Sequence, residues 1–197
     1  QAGGSICVIS DDGECRRFSG GEAYYKWIKV PVAKNTGYEI FCENCRVSIC
    51  YLSGCENILD EGVCYLEQDE NGRFVKKDET DWYDSPIREA YHFTPWKNWI
   101  NDPNGLCWFQ GYYHMFYQFN PHGQKWSHMY WGHAASRDLI HWTHLPVVLE
   151  PQEEILAHPE ELAGGAFSGS AVVKGDEVVF YLTRSQGLPV DGEQTVQ

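Results

Sequence analysis

The chain has 197 residues, with 28 acidic against 15 basic side chains and a formal net charge of −13. That balance excludes a surface built to neutralise nucleic-acid phosphates or an anionic membrane, both of which need Lys and Arg in excess, and no apolar run reaches the roughly 18 residues that a membrane-crossing helix requires. Hydrophobic residues at 43% and charged residues at 22% exclude wholesale disorder, while 15% aromatics suit β-structure and a neutral polyhydroxylated ligand.

Composition shifts along the chain. Seven of the eight Cys (Cys7, Cys15, Cys42, Cys45, Cys50, Cys55, Cys64) precede residue 65, and seven of the eight Trp lie from Trp82 to Trp142. The acidic, turn-rich stretch 68–86 between them marks a boundary, placing one unit at 1–85 and a second at 86–197. In the first unit, residues 24–30 alternate at period two and stop at Pro31, residues 38–41 follow the turn signal Asn35-Thr36-Gly37, and residues 46–52 alternate up to Ser53-Gly54. These read as short strands of a small β-sandwich, without helical periodicity. Cys42-x2-Cys45 with Cys50 and Cys55 could ligate zinc, yet only one close pair is present where structural sites use two. Disulfides of a secreted module and buried thiols of a reducing compartment are the other readings. Tyr24, Tyr25 and Trp27 could stack on sugar, or fill a core at strand spacing.

The second unit also reads as β-rich. Residues 106–109, the turn Gln110-Gly111 and residues 112–119 form one expected hairpin; residues 170–174, Gly175-Asp176 and residues 177–183 form another. Between β signals lies Trp99-Ile100-Asn101-Asp102-Pro103-Asn104-Gly105. Pro103 biases Asp102 toward an extended conformation, and Asn104-Gly105 then predicts a sharp turn. This puts a carboxylate at a strand end beside bulky rings, with the Asn101 amide available to orient it or a hydroxyl. An ordinary surface turn would carry the same four residues. Eight scattered histidines show no zinc spacing and read as structural or surface groups.

Several further blocks follow in order: Tyr91-His92-Phe93-Thr94-Pro95, Phe116-Tyr117-Gln118-Phe119-Asn120-Pro121, Trp131-Gly132-His133-Ala134, Ser136-Arg137-Asp138-Leu139-Ile140-His141-Trp142 and Phe167-Ser168-Gly169-Ser170. Together with the Asp102 segment they resemble the start of glycoside hydrolase family 32, the invertase, inulinase and levanase family. The resemblance covers 91–197; residues 1–85 match nothing named. It implies a five-bladed β-propeller, so that the expected fold is all-β, with the small β-sandwich-like module read from the strand pattern preceding the first blades. It also implies a retaining β-fructosidase that works on sucrose or on fructans of the inulin or levan type. Such a mechanism uses two carboxyl groups about 5–5.5 Å apart. By the resemblance Asp102 is the nucleophile, and Asn101, Gln118, Trp126, Phe167 and Ser168 line the fructose pocket.

Asn98, Ile100, Ser127 and Tyr130 depart from the family's usual Gly, Met, Gly and His, and flank the reacting centre without touching the nucleophile. The family's Arg-Asp-Pro and Glu-Cys blocks, the second of which supplies the acid/base, are absent. Glu150, Glu153, Glu154, Glu160, Glu161 and Glu193 stand in other contexts. The chain is therefore expected to be one piece of a longer polypeptide whose remainder completes the catalytic domain. A fructosyltransferase, passing the same intermediate to a sugar acceptor, is the enzymatic alternative; a non-catalytic fructan-binding protein is the other. No metal and no organic cofactor is expected, and neither nucleic acid nor membrane is expected as a partner. Extracellular and cytoplasmic locations both fit the cysteines.

Overall fold

The computed structural model describes residues 3–21, 25–54, 56–77, 83–89, 91–157 and 162–189. The architecture of the described residues is all-β, with single-turn helices at Ile58–Glu61 and Glu153–Leu156. Strands β1 (Ser5–Ser10), β2 (Cys15–Ser19) and β3 (Tyr38–Glu43) form an antiparallel sheet in the order β2-β1-β3. A second three-stranded sheet, β4 (Cys50–Leu52), β5 (Cys64–Gln68) and β6 (Phe74–Lys76), follows in sequence order, and helix α1 (Ile58–Glu61) sits between β4 and β5.

Two of the expected N-terminal strands need correction. Residues 25–30 are not a strand, and of 46–52 only Cys50–Leu52 pairs. The alternation at 25–30 serves side chains, not a backbone ladder: Tyr25 stacks on His122 with centroids 4.2 Å apart, and Trp27 lies 5.8 Å from Tyr51 and 5.9 Å from Tyr130. Tyr25 and Trp27 are thus packed against the second unit's core; Tyr24 lies outside the described residues. Among the described residues no three His, Cys, Asp or Glu side chains converge on a point that could hold a metal; Cys55 lies outside them.

The second unit opens with an antiparallel meander of β7 (Trp99–Phe109), β8 (Tyr112–Asn120), β9 (His128–Ser136) and β10 (Thr143–Leu149). Helix α2 (Glu153–Leu156) leads into the hairpin of β11 (Leu162–Lys174) and β12 (Glu177–Pro189), and β11 pairs with β9 in parallel at Gly164 and Gly165. The four-stranded meander is the first blade of a propeller, and β11–β12 begins the next. Both expected hairpins form. At the first turn Gln110 and Gly111 have φ of 49° and 84°, the two positive values that a primed two-residue turn needs; at the second, Gly175 supplies φ of 64°.

The core runs through both units. Tyr117, Phe119, Tyr130, Ala134 and Leu156 are buried with Tyr25, Trp27, Ile49 and Phe93 against them. A second cluster joins Val63 and Tyr65 to Trp96, whose ring stacks on Tyr65 at 4.1 Å. At the surface Asp60 of α1 accepts hydrogen bonds from Arg137 Nε (2.9 Å), Arg137 Nη2 (3.0 Å) and Tyr112 Oη (2.7 Å).

Candidate active site

Asp102 is not at a strand end, and Asn104-Gly105 is not a turn between strands. Both lie within β7, where the turn-forming residues instead make two bulges. Ile100 pairs with Phe119 and Pro103 with Tyr117, so Asn101 and Asp102 together face the single residue Gln118. Asn104 pairs with Phe116 and Cys107 with His114, so Gly105 and Leu106 together face Met115. Proline, lacking an N–H, is tolerated in a strand at such irregularities. Gly105 supplies φ of 53°, and a Cβ there would meet Phe116 Cδ2 at 2.9 Å. A bulge bends its strand and re-aims side chains, and here it leaves Asn101 and Asp102 exposed.

Strand β11 carries a matching irregularity. Ala166 pairs with Arg184 and Gly169 with Leu182, so Phe167 and Ser168 together face Thr183. The bulge of β11 approaches the bulge of β7, and Ser168 Oγ donates to Asp102 Oδ2 at 2.7 Å. Among the described residues Asp102 Oδ1 has no hydrogen-bond partner. The Phe167 ring lies 6.2 Å from that of Trp126, tilted by 54°. An accessible carboxylate with a hydroxyl on one of its oxygens thus stands one residue along β11 from a pair of half-buried rings. The arrangement suits a sugar: the hydroxyl and amide match sugar hydroxyls, the rings match apolar sugar faces, and one carboxylate oxygen remains for reaction.

Gln118 is placed differently from the others. It is 4% exposed, and its Nε2 donates to Ala166 O at 2.8 Å. Two further side chains hold the same stretch. Trp131 Nε1 donates to Phe167 O at 3.1 Å, and Gly169 N donates to Asn104 Oδ1 at 3.4 Å. Asn104 and Trp131 both lie in the quoted motifs, yet nothing in their local sequence distinguishes them from core residues. Gly169 is required for its smallness, since a Cβ there would run into the Tyr181 carbonyl and Leu182.

Among the described glutamates, Glu150 pairs with Lys29 at 3.3 Å, and Glu153 and Glu154 occupy α2. Glu160, Glu161 and Glu193 lie outside the described residues. Burial pushes His122 and His133 down to about 3 and His144 down to about 4, so they are neutral packing groups. His92 and His141 are exposed beside Glu89 and Asp138.

The fold is the opening of a β-propeller, and by likeness to known proteins the chain is of the glycoside hydrolase class. The model of the glycosyl hydrolases family 32 N-terminal domain matches residues 92–197, more than half of the chain. The levanase of Bacillus subtilis (strain 168) is 50% identical over 95 residues, which is 48% of this chain and 13% of that protein. An extracellular exo-inulinase of Aspergillus niger is 49% identical over 90 residues, 46% of this chain and 16% of that one. The solved structure of a family 32 glycoside hydrolase from Bifidobacterium adolescentis superposes with a TM-score of 0.78 at 38% identity, covering 93% of this chain and 31% of that one. The chain belongs to glycoside hydrolase family 32. It spans 13% and 16% of the lengths of the levanase and the exo-inulinase. The 93% coverage in the structural match takes in most of 1–85 as well, so the N-terminal sheets have a counterpart in a family 32 enzyme.

Proposed function

We propose that the protein is a retaining β-fructosidase acting on sucrose or on inulin- or levan-type fructans, with Asp102 as nucleophile. The observation that carries this reading is the exposed Asp102 carboxylate, presented on a bulge and held through one oxygen by Ser168. In the first step an Asp102 oxygen bonds to the anomeric carbon of the fructosyl unit. The glycosidic bond breaks, and its oxygen takes a proton from a second carboxyl group. In the second step that carboxylate removes a proton from water, the water oxygen bonds to the same carbon, and the Asp102 ester is released. The second carboxyl group belongs to the part of the catalytic domain outside this chain. Asn101 and Ser168 would hold fructose hydroxyls and Trp126 and Phe167 its apolar face. Contacts that tighten as the oxocarbenium-like state forms raise the rate; contacts equal in ground and transition states do not. Gln118 would shape the pocket through the Ala166 carbonyl and offer its remaining amide oxygen to substrate. Residues 1–85 act as a buttressing module for the catalytic domain that begins at 86, as the packing of Trp27, Tyr51 and Tyr65 on the second unit supports.

The test is the ratio of glucose to free fructose released when the full-length protein meets sucrose, followed by inulin and levan. A ratio near one supports hydrolysis. Excess glucose means that fructosyl is passed to a sugar and the hydrolase reading is replaced by the transferase. No release from any of the three, with fructan still retained by the protein, overturns catalysis in favour of binding.

A further inference from the structure

We infer that Trp131 and Asn104 are positioning residues, which set where Ser168 meets Asp102 by holding the backbone of the β11 bulge. This rests on the assignment of Asp102 above. A bulge leaves its extra residue out of the ladder with the partner strand, so its backbone needs other anchors. In β11 those anchors come from three strands of the preceding blade. Gln118 of β8 donates to the Ala166 carbonyl, Trp131 of β9 to the Phe167 carbonyl, and Asn104 of β7 accepts from the Gly169 N–H. The three contacts bracket Ser168 on both sides. All three side chains are buried, Trp131 at 0%, Asn104 at 2% and Gln118 at 4% exposure, so water cannot substitute for them cheaply.

Asn104 stands two residues from Asp102 in the same strand, with only Pro103 between it and the Asp102 bulge. Its contact with Gly169 therefore ties the Asp102 segment to the Ser168 segment directly. The hydroxyl of Ser168 has no other hydrogen bond among the described residues, and its aim at Asp102 Oδ2 follows from where the bulge backbone lies. Displacement of a reacting group by about 1 Å can cost roughly 100-fold in rate, so small slack in these anchors registers in turnover before it registers in folding. Gln118 is left out of the test because it is also placed against substrate.

The experiment is a double-mutant cycle in the full-length enzyme with sucrose, using Trp131→Phe and Ser168→Ala. Trp131→Phe keeps an aromatic ring and removes the one donor. The expected result is a fall in kcat of about tenfold with KM changed less than about twofold, and a further loss of less than about twofold when Trp131→Phe is added to Ser168→Ala. The same factor in both backgrounds, or unaltered kcat in Trp131→Phe, overturns the proposal. If Trp131→Phe does not yield folded protein, Asn104→Leu replaces it, with Asn104→Asp, which keeps an acceptor oxygen, expected to restore part of the loss. Asp102→Asn is run alongside: inactive Asp102→Asn with unaltered Trp131→Phe overturns the positioning role alone, whereas full turnover in Asp102→Asn overturns the nucleophile and the positioning role with it.

Discussion

Ser168 Oγ and Asp102 Oδ2 are joined by a 2.7 Å hydrogen bond across 66 positions of sequence, and each residue sits on a two-residue bulge of its own strand. Asp102→Asn in the full-length protein keeps the shape and the acceptor oxygen but removes the charge. It is expected to abolish turnover while the melting temperature stays within about 2 °C of the parent, since surface changes seldom move stability by more than about 0.5 kcal/mol. Ser168→Ala removes one hydrogen bond to a charged group, about 1.5–3 kcal/mol, and should slow turnover roughly 10- to 150-fold. Steady-state kinetics on sucrose checks both; turnover near the parental rate in Asp102→Asn refutes the assignment.

The two units share a core, so damage at their junction should unfold both. Trp96 is 3% exposed, stacks on Tyr65 at 4.1 Å and packs with Val63. Trp96→Ala should cost about 3–5 kcal/mol, as large aromatic-to-alanine changes in cores do. Asp60→Ala, which breaks the exposed contacts to Arg137 and Tyr112, should change stability far less, because water and salt screen that site. Denaturant unfolding followed by tryptophan fluorescence separates the two. A Trp96→Ala loss no greater than that of Asp60→Ala would show that the junction carries no shared core.

Acid should loosen the fold through its buried histidines. Burial, with lesser contributions from His128 at His122, His114 at His133 and Arg88 at His144, holds the three rings at about 3, 3 and 4. The ordinary histidine value is about 6.5, so as pH falls the unfolded chain takes up these protons first. Their contribution is intact above about pH 6.5 and is lost progressively toward pH 3–4, each ring costing about 1.4 kcal/mol per pH unit across its window. His144 offers a specific check, since neither ring nitrogen has a hydrogen-bond partner among the described residues. His144→Leu removes two unsatisfied polar atoms and one titrating group. Its melting temperature at pH 7 should equal or exceed the parent's, and its drop between pH 7 and 5 should be smaller. An unchanged drop would exclude His144 as a contributor.

Cys7 and Cys15 face each other across the β1–β2 hairpin with their sulfurs 2.6 Å apart. The contact with Cys15, ahead of burial, pushes the Cys7 thiol up from its usual value. Oxidised glutathione should convert the two thiols to one disulfide, the glutathione taking up both electrons and both protons as two reduced molecules. Peptide mapping without reductant would find residues 7 and 15 in one cross-linked species. Recovery of both as alkylated thiols after that treatment would refute the pairing.

Local chemistry made several features legible without any structure. Gln110-Gly111 and Gly175-Asp176 mark their hairpins because Gln110, Gly111 and Gly175 take the positive φ that the two turns need. The ordered blocks from Tyr91 to Ser170 point to the family, and Asn101, Asp102, Gln118, Phe167 and Ser168 stand within them, whereas Trp126 lies between two of them. Other features could not be read locally. Asn101 to Gly105 carries the residues of a turn, and only pairing with β8 turns them into two bulges. The alternation of 25–30 is that of a strand, but among the described residues its backbone joins no ladder, and its rings complete the core beside β9 instead. The anchoring of β11 by Gln118, Trp131 and Asn104 has no local signature, because each donor or acceptor finds its partner 36 to 65 residues away.

The sequence by itself thus determined the family, the tight turns and which side chains could do chemistry, because those depend on residue type and near-neighbour conformation. The tertiary structure alone decided that Asp102 and Ser168 meet. A bulge exists only relative to the register of a partner strand, and the approach of two bulges depends on how one blade packs against the next.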